Sequence, residues 1–289
     1  MEQVLGDCLR IVHPGVLNRL GHIRHVLFDF DGTLSVLRQG WEDVMIPLMI
    51  EVILANGKTS SAEEKAEIEA EVRAYVDRSS GILTIRQMQW LAEAVTRHGL
   101  ASEVLTASEY KGLYLQRLML RVGKRIARLT GGESTPSENM ISGAEAFVNG
   151  LARRGARLYL ASGTDHVDVV REVAALGLLP CFNGGVYGAL DGNEDHAKER
   201  VIERILVENQ LSGDELLVIG DGPVEIREGV ARRALTLGMA TDEIVRSGWN
   251  PRKVERLLQA GADLLAPDFA QTEKLIQILF EPDFLRQAP

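Results

Sequence analysis

The chain has 289 residues, 45% of them hydrophobic and 25% charged, with a formal net charge of −9, an ordinary globular composition long enough for one large or two modest domains. No apolar run approaches the roughly 20 residues that cross a bilayer, and the acidic balance opposes general binding to nucleic acid or anionic membranes. Two cysteines far apart in sequence, Cys8 and Cys181, predict packing thiols rather than a disulfide framework or a zinc site.

Residues 1–21 read as an N-terminal extension without the basic start, apolar segment and cleavage site of an export signal, so the expected location is the cytoplasm. "HVLFDFDGTLS", from His25 to Ser35, follows as a buried strand that stops at two aspartates, Asp29 and Asp31. The next hundred residues switch to helical periodicity. "WEDVMIPLMIEVILANG" is apolar around much of its circumference and ends at Gly57. In "SSAEEKAEIEAEVRAYVDRSSG" the pair Ser61 and Glu64 predicts a capping box, and Thr84 with Gln87 and Thr106 with Glu109 predict the same for the two helices after it. "GGESTPSENM" reads as a linker. From Ile141 onward helical stretches alternate with short apolar runs, "ARLYLAS", "CFNGGVYGA", "ELLVIGD", "ALTLGMA" and "ADLLAPD", the pattern of βαβ units around a mostly parallel sheet with helices on both faces. The expected fold is therefore α/β, a Rossmann-like three-layer sandwich formed by residues 22–35 and 140–282, with residues 36–139 inserted as a helical second domain.

Ligands of open parallel sheets bind beyond the carboxyl ends of the strands. Asp29 and Asp31 fall at one such end, Ser162, Gly163 and Thr164 of "LYLASGTD" at another, and Asp221 of "LLVIGDGPVEI" at a third with Glu225 one helical turn on. Lys198, in "NEDHAKERVIERIL", is placed near the start of a following helix. Clustered carboxylates without His or Cys suit a hard cation such as Mg²⁺ bound together with phosphate. A carboxylate such as Asp29 can attack phosphorus to give an aspartyl-phosphate. Lys198, the Ser162 hydroxyl and N–H groups near Gly32 and Gly163 would stabilise the transferring phosphoryl group, while Asp31 protonates the leaving oxygen and later deprotonates water.

These motifs resemble those of the haloacid dehalogenase (HAD) superfamily of phosphohydrolases. "DFDGTLS" is similar to the first motif, which implies Asp29 as nucleophile, Asp31 as acid/base, and Asp29 with the Asp31 main-chain carbonyl as metal ligands. "LASGT" resembles the second motif and implies phosphate binding by Ser162; Lys198 matches the third, without the proline that many relatives carry after it. "GDGPVEI" resembles the fourth, implying Asp221 on the metal and Glu225 beside it, its longer side chain making that contact through water. The insertion stands where a C1-type cap is expected, and "FNGGVYGAL" resembles a phrase of sugar-phosphate enzymes of the superfamily.

Bland alternatives accompany several residues. His166 and His196 read as surface or supporting residues, since the Asp pair already supplies acid and base. Arg117, Arg121, Arg125 and Arg128 recur on one helix face, and a solvated stripe is the expectation, an anion-binding wall the sharper one. Arg38 and Trp41 either reach the substrate as the insertion closes or simply pack. The sequence thus points to a Mg²⁺-dependent phosphatase for a small phosphorylated metabolite, such as a sugar phosphate or phosphoglycolate. A phosphomutase with the same nucleophile and a non-catalytic metabolite-sensing or partner-binding module are the alternatives; a 2-haloacid dehalogenase ranks lower because that branch generally lacks an acid/base Asp at position 31. Oligomeric state is left open.

Overall fold

The computed structural model describes residues 3–5, 7–55, 61–190 and 198–281. Two short strands, β1 (Gln3–Leu5) and β2 (Leu9–Ile11), precede the strand of the Asp pair, β3 (His25–Phe28). Four helices then follow without a strand: α1 (Glu42–Ile53), α2 (Ala62–Arg78), α3 (Thr84–His98) and α4 (Ala107–Thr130). The chain next alternates through α5 (Ala144–Arg153), β4 (Arg157–Asp165), α6 (His166–Ala175), β5 (Gly185–Ala189), α7 (Lys198–Glu208), β6 (Leu216–Gly220), α8 (Pro223–Ala231), β7 (Leu235–Met239), α9 (Pro251–Gln259), β8 (Leu264–Ala266) and α10 (Thr272–Phe280).

The strands form one sheet in the order β1-β2-β8-β7-β6-β3-β4-β5, parallel from β8 to β5. Successive side chains of a strand point to opposite faces, and the core follows that alternation. Val26 and Phe28 pack with Leu217 and Ile219 against Phe147 of α5 and Val173 of α6. Leu27, with Leu216 and Val218, faces Val201 and Ile205 of α7 on the other side. Both faces are covered, which is why β3 and β6 are continuous apolar runs rather than alternating ones. The four-helix insertion buries an apolar cluster of its own, including Met45, Leu48, Val72, Leu91 and Leu118. It is joined to the sheet unit by paired strands of hinge: Val36 N–H donates to Asn139 O at 2.9 Å and Ile141 N–H to Leu34 O at 2.9 Å.

Several local expectations change. The N-terminal segment is no mere appendage, for β2 pairs antiparallel with β8 and extends the sheet; three-residue strands carry too little alternation to be read from sequence. Ser61 does cap α2 by accepting from Glu64 N–H, and Thr106 with Glu109 forms a full capping box. Thr84, however, is the first helical residue rather than the cap, which is Leu83. Its hydroxyl turns to Gly163 O, while Gln87 donates to Ser79 Oγ at 3.2 Å; the turn between α2 and α3 recruits both side chains. The linker contains a 3₁₀ turn at Pro136–Asn139, capped by Thr135. Gly57, expected as the end of α1, and His196 lie outside the described residues, as does residue 282. Both cysteines are thiols, Cys8 buried and Cys181 half-buried.

The arginine stripe of α4 is more than a solvated face. Arg125 Nη1 donates to Leu37 O at 2.8 Å and to Gln39 O at 2.7 Å, and Arg121 Nη1 reaches Gly40 O at 3.3 Å, so two of the four staple the hinge. Arg117 pairs with Glu51 and Arg128 with Glu133.

Candidate active site

The parallel register brings the motif residues together. Phe28 pairs with Leu160 on one side and Ile219 on the other, so Asp29 stands level with Ala161 and Gly220, and the next residues of the flanking strands are Ser162 and Asp221. Asp29 N–H still donates to Ile219 O at 2.8 Å, after which the chain breaks away in a tight turn. The N–H groups of Leu34 and Ser35 both close on Phe30 O at 2.9 Å. Gly32 makes that turn possible: its φ is +77°, and a Cβ there would lie 2.5 Å from Asp221 Oδ2.

Lys198, the first residue of α7, is buried and bridges Asp29 Oδ1 at 2.8 Å and Glu225 Oε2 at 2.9 Å. Glu225 accepts the Gly222 N–H through Oε1 at 2.6 Å, so it also caps the start of α8. Asp31 is held through one oxygen: Ser162 Oγ donates to Oδ2 at 3.1 Å and Thr164 Oγ1 at 3.0 Å. Its other oxygen, Oδ1, is buried with no hydrogen-bond partner among the described residues. Asp221 accepts from Thr33 Oγ1 at 3.1 Å.

Burial pushes the Asp29 carboxyl well above its ordinary range, against the pull of the Lys198 ammonium, and burial likewise raises Asp31 against Arg38 and the two hydroxyls. Asp221 goes the other way; burial would raise it, but Lys253 and Arg256 hold it below the usual carboxylate range. A carboxyl held above its ordinary range suits acid chemistry at Asp31.

Buried carboxylate oxygens of Asp29, Asp221 and Glu225 all lie within 4.8 Å of one another. A set of hard oxygen donors, with no His or Cys in it, fits Mg²⁺.

A cavity of about 80 Å³ opens above these residues, well under the roughly 300–1,000 Å³ of common ligand pockets. Asp29, Asp31, Ser162, Gly163, Thr164, Lys198 and Asp221 line its floor, and Arg38 and Trp41 its side. Glu225 supports the floor through Lys198 and Gly32 through its contact with Asp221. His166 and the four α4 arginines do not line it.

The insertion supplies the roof with residues that sequence pattern did not mark as site residues. The turn between α2 and α3 contributes Ser80, Gly81 and Ile82, α3 adds Gln87 and α4 adds Tyr114. Gly81 has φ +93°, and a Cβ on it would sit 2.7 Å from Glu225 Oε2, so this turn descends onto the acid cluster. The only sequence signal was a Ser-Ser-Gly break between two helices. Two supporting groups of ion pairs were also missed. Lys253 Nζ, from α9, lies 2.7 Å from both Asp221 Oδ2 and Glu243 Oε1; a lysine in the first turn of a helix, where the dipole disfavours positive charge, was the available sign. Glu172 of α6 holds Arg38 in a fork, and its sign was a carboxylate on the apolar face of Val169 and Val173.

No curated protein matches the chain. Its fold is similar to a haloacid dehalogenase-like family hydrolase from Streptococcus pneumoniae (16% identity, TM-score 0.56, covering 89% of this chain and 99% of that one). It is likewise similar to a protein named as a predicted phosphoglycolate phosphatase from Haemophilus somnus (17%, 0.57, 89% and 99%) and to a beta-phosphoglucomutase from Clostridium difficile (14%, 0.56, 91% and 100%). The family model for haloacid dehalogenase-like hydrolases matches residues 23–231. That match spans more than half of the chain, and the chain belongs to the haloacid dehalogenase-like hydrolase family.

Proposed function

We propose that the chain is a Mg²⁺-dependent phosphatase that hydrolyses a small phosphorylated metabolite through a phosphorylated Asp29. Asp29, Asp221 and Glu225, with the Asp31 main-chain carbonyl, would hold the ion, which neutralises charge on the phosphoryl oxygens when bound. In the first step an Asp29 oxygen forms a bond to phosphorus as the bond from phosphorus to the substrate oxygen breaks. The proton on Asp31 passes to that departing oxygen. Lys198 and the backbone around Gly163 face the phosphoryl group and offset its charge. In the second step water bonds to phosphorus, its proton returns to Asp31, and the bond from Asp29 to phosphorus breaks to release phosphate.

The observation that carries this reading is the asymmetry of Asp31. One oxygen is fixed by two hydroxyls, the other is buried without a hydrogen-bond partner among the described residues, and the residue lines the same cavity as Asp29, which puts a proton donor within reach of a bound ester. The test is phosphate release from a panel of phosphate esters with added Mg²⁺. Wild type should turn over at least one ester, and Asp29→Asn should lose at least about 10³–10⁴ in kcat; comparable turnover by Asp29→Asn would refute the mechanism. Isomerisation of a sugar phosphate stimulated by the bisphosphate, with little phosphate released, would reassign the site to a mutase.

A further inference from the structure

The charges around the cavity say which ester fits. Among the described residues, two cations line it, Arg38 and Lys198. Lys198 is committed to Asp29 and Glu225. Arg38 is committed as well: its Nε lies 3.1 Å and its Nη2 2.7 Å from the carboxylate of Glu172, and Nη2 lies 3.6 Å from Asp168. Glu172 is fully buried and Arg38 nearly so, so this pair is fixed and its charge is cancelled where it stands. The roof adds no charge of either sign; Ser80, Ile82, Thr84, Gln87 and Tyr114 offer hydroxyl, amide and apolar surface. Arg86 does not line this cavity but a neighbouring one that shares Gly81, Ile82 and Lys198 with it.

A carboxylate on the leaving group would enter a cavity whose two cations are each paired with carboxylates and whose floor holds Asp29, Asp31 and Asp221, and it would be desolvated with little compensation. An ammonium would find no carboxylate on the roof. We infer that the substrate is a phosphate ester with a small, uncharged, hydroxyl-bearing leaving group, selected by the neutral roof and by the cancellation of Arg38 by Glu172. This rests on the phosphatase reading above and narrows it. The phosphoryl group moves from the substrate oxygen to Asp29 and then to water, and the leaving group departs as a neutral alcohol carrying the Asp31 proton. A space of about 80 Å³ confines it to a short chain.

The experiment compares kcat/KM of wild type for glycerol phosphate, phosphoglycolate and phosphoethanolamine, with Mg²⁺ present. Glycerol phosphate should be favoured over both others by about tenfold or more, as expected for a charge buried without its partner. Equal or greater activity on phosphoglycolate or phosphoethanolamine overturns the inference and leaves the phosphatase reading standing. No hydrolysis of these or any other ester overturns that reading and this one with it. Glu172→Gln removes the negative partner and leaves the unit charge of Arg38 uncancelled by it, which should raise kcat/KM for phosphoglycolate relative to glycerol phosphate by about tenfold; folding is checked by circular dichroism. A folded variant with the wild-type ratio overturns the role of the pair. Should Glu172→Gln fail to fold, Thr84→Lys places a cation on the cavity's wall without touching the pair, and it must shift the ratio in the same direction.

Discussion

Lys253 offers a direct test of how the acid cluster is balanced. Its ammonium lies 2.7 Å from Asp221 Oδ2 and 2.7 Å from Glu243 Oε1, with Lys253 and Asp221 buried and Glu243 half-buried. Lys253→Met keeps most of the side chain's length and removes the charge, leaving two carboxylates that face each other without their shared cation. Breaking a buried pair in this way costs about 3–5 kcal/mol, and at roughly 2–4 °C per kcal/mol for a chain somewhat smaller than this one, the melting temperature without metal should fall by about 6–20 °C. The same substitution makes the site more negative by one charge and uncovers an oxygen of Asp221. Mg²⁺ should therefore bind the variant more tightly, by about tenfold, and recover about 1.4 kcal/mol of the loss at saturation. Thermal denaturation with and without Mg²⁺, together with calorimetric titration of Mg²⁺, reads both effects. A variant that binds Mg²⁺ more weakly, or whose melting deficit is the same with and without it, would show that Lys253 aligns Asp221 rather than balancing it, and the charge reasoning would fail.

Three further outcomes follow from the geometry. Asp31→Asn keeps the hydrogen-bonding shape but cannot supply a proton, so turnover should drop by about 10²–10⁴ and phosphorylated Asp29 should accumulate in acid-quenched samples analysed by mass spectrometry; a fully active variant would exclude the acid role. Gly81→Ala asks a residue with φ +93° to carry a side chain, at a cost of about 1–2 kcal/mol, and pushes a methyl group toward Glu225. Its kcat should fall while the far-ultraviolet spectrum stays that of wild type, and an unchanged kcat would show that the turn need not seat on the cluster. Leu91→Ala empties a fully buried position in the insertion's own core and should destabilise it by about 2–5 kcal/mol. Because that cluster is separate from the sheet's, calorimetry should show the lower transition moving alone; a single transition shifted as a whole would mean the two cores melt as one.

What could be read in the sequence, and what could not, divides along a physical line. The strand ends were readable because they depend on local pattern: an apolar run stopping at Asp29, at Ser162 or at Asp221 marks a carboxyl end wherever the strand lands in the sheet. The register Phe28–Leu160 and Phe28–Ile219 then brings those ends level without further instruction. β1 and β2 escaped because three residues hold no usable period. The supporting pairs escaped for a different reason, since Arg38 meets Glu172 across 134 positions of sequence and Lys253 meets Asp221 across 32, and nothing local encodes either distance. Yet both left a trace as a charge in an unfavourable place, Glu172 on an apolar helix face and Lys253 in a first helical turn. A charge that local rules disfavour persists only where a tertiary partner compensates it. In the substrate selection proposed above that compensation has a second effect: pairing Arg38 with Glu172 would remove the positive charge that welcomes an acidic substrate, so the residues hardest to read from sequence would be the ones that narrow the substrate.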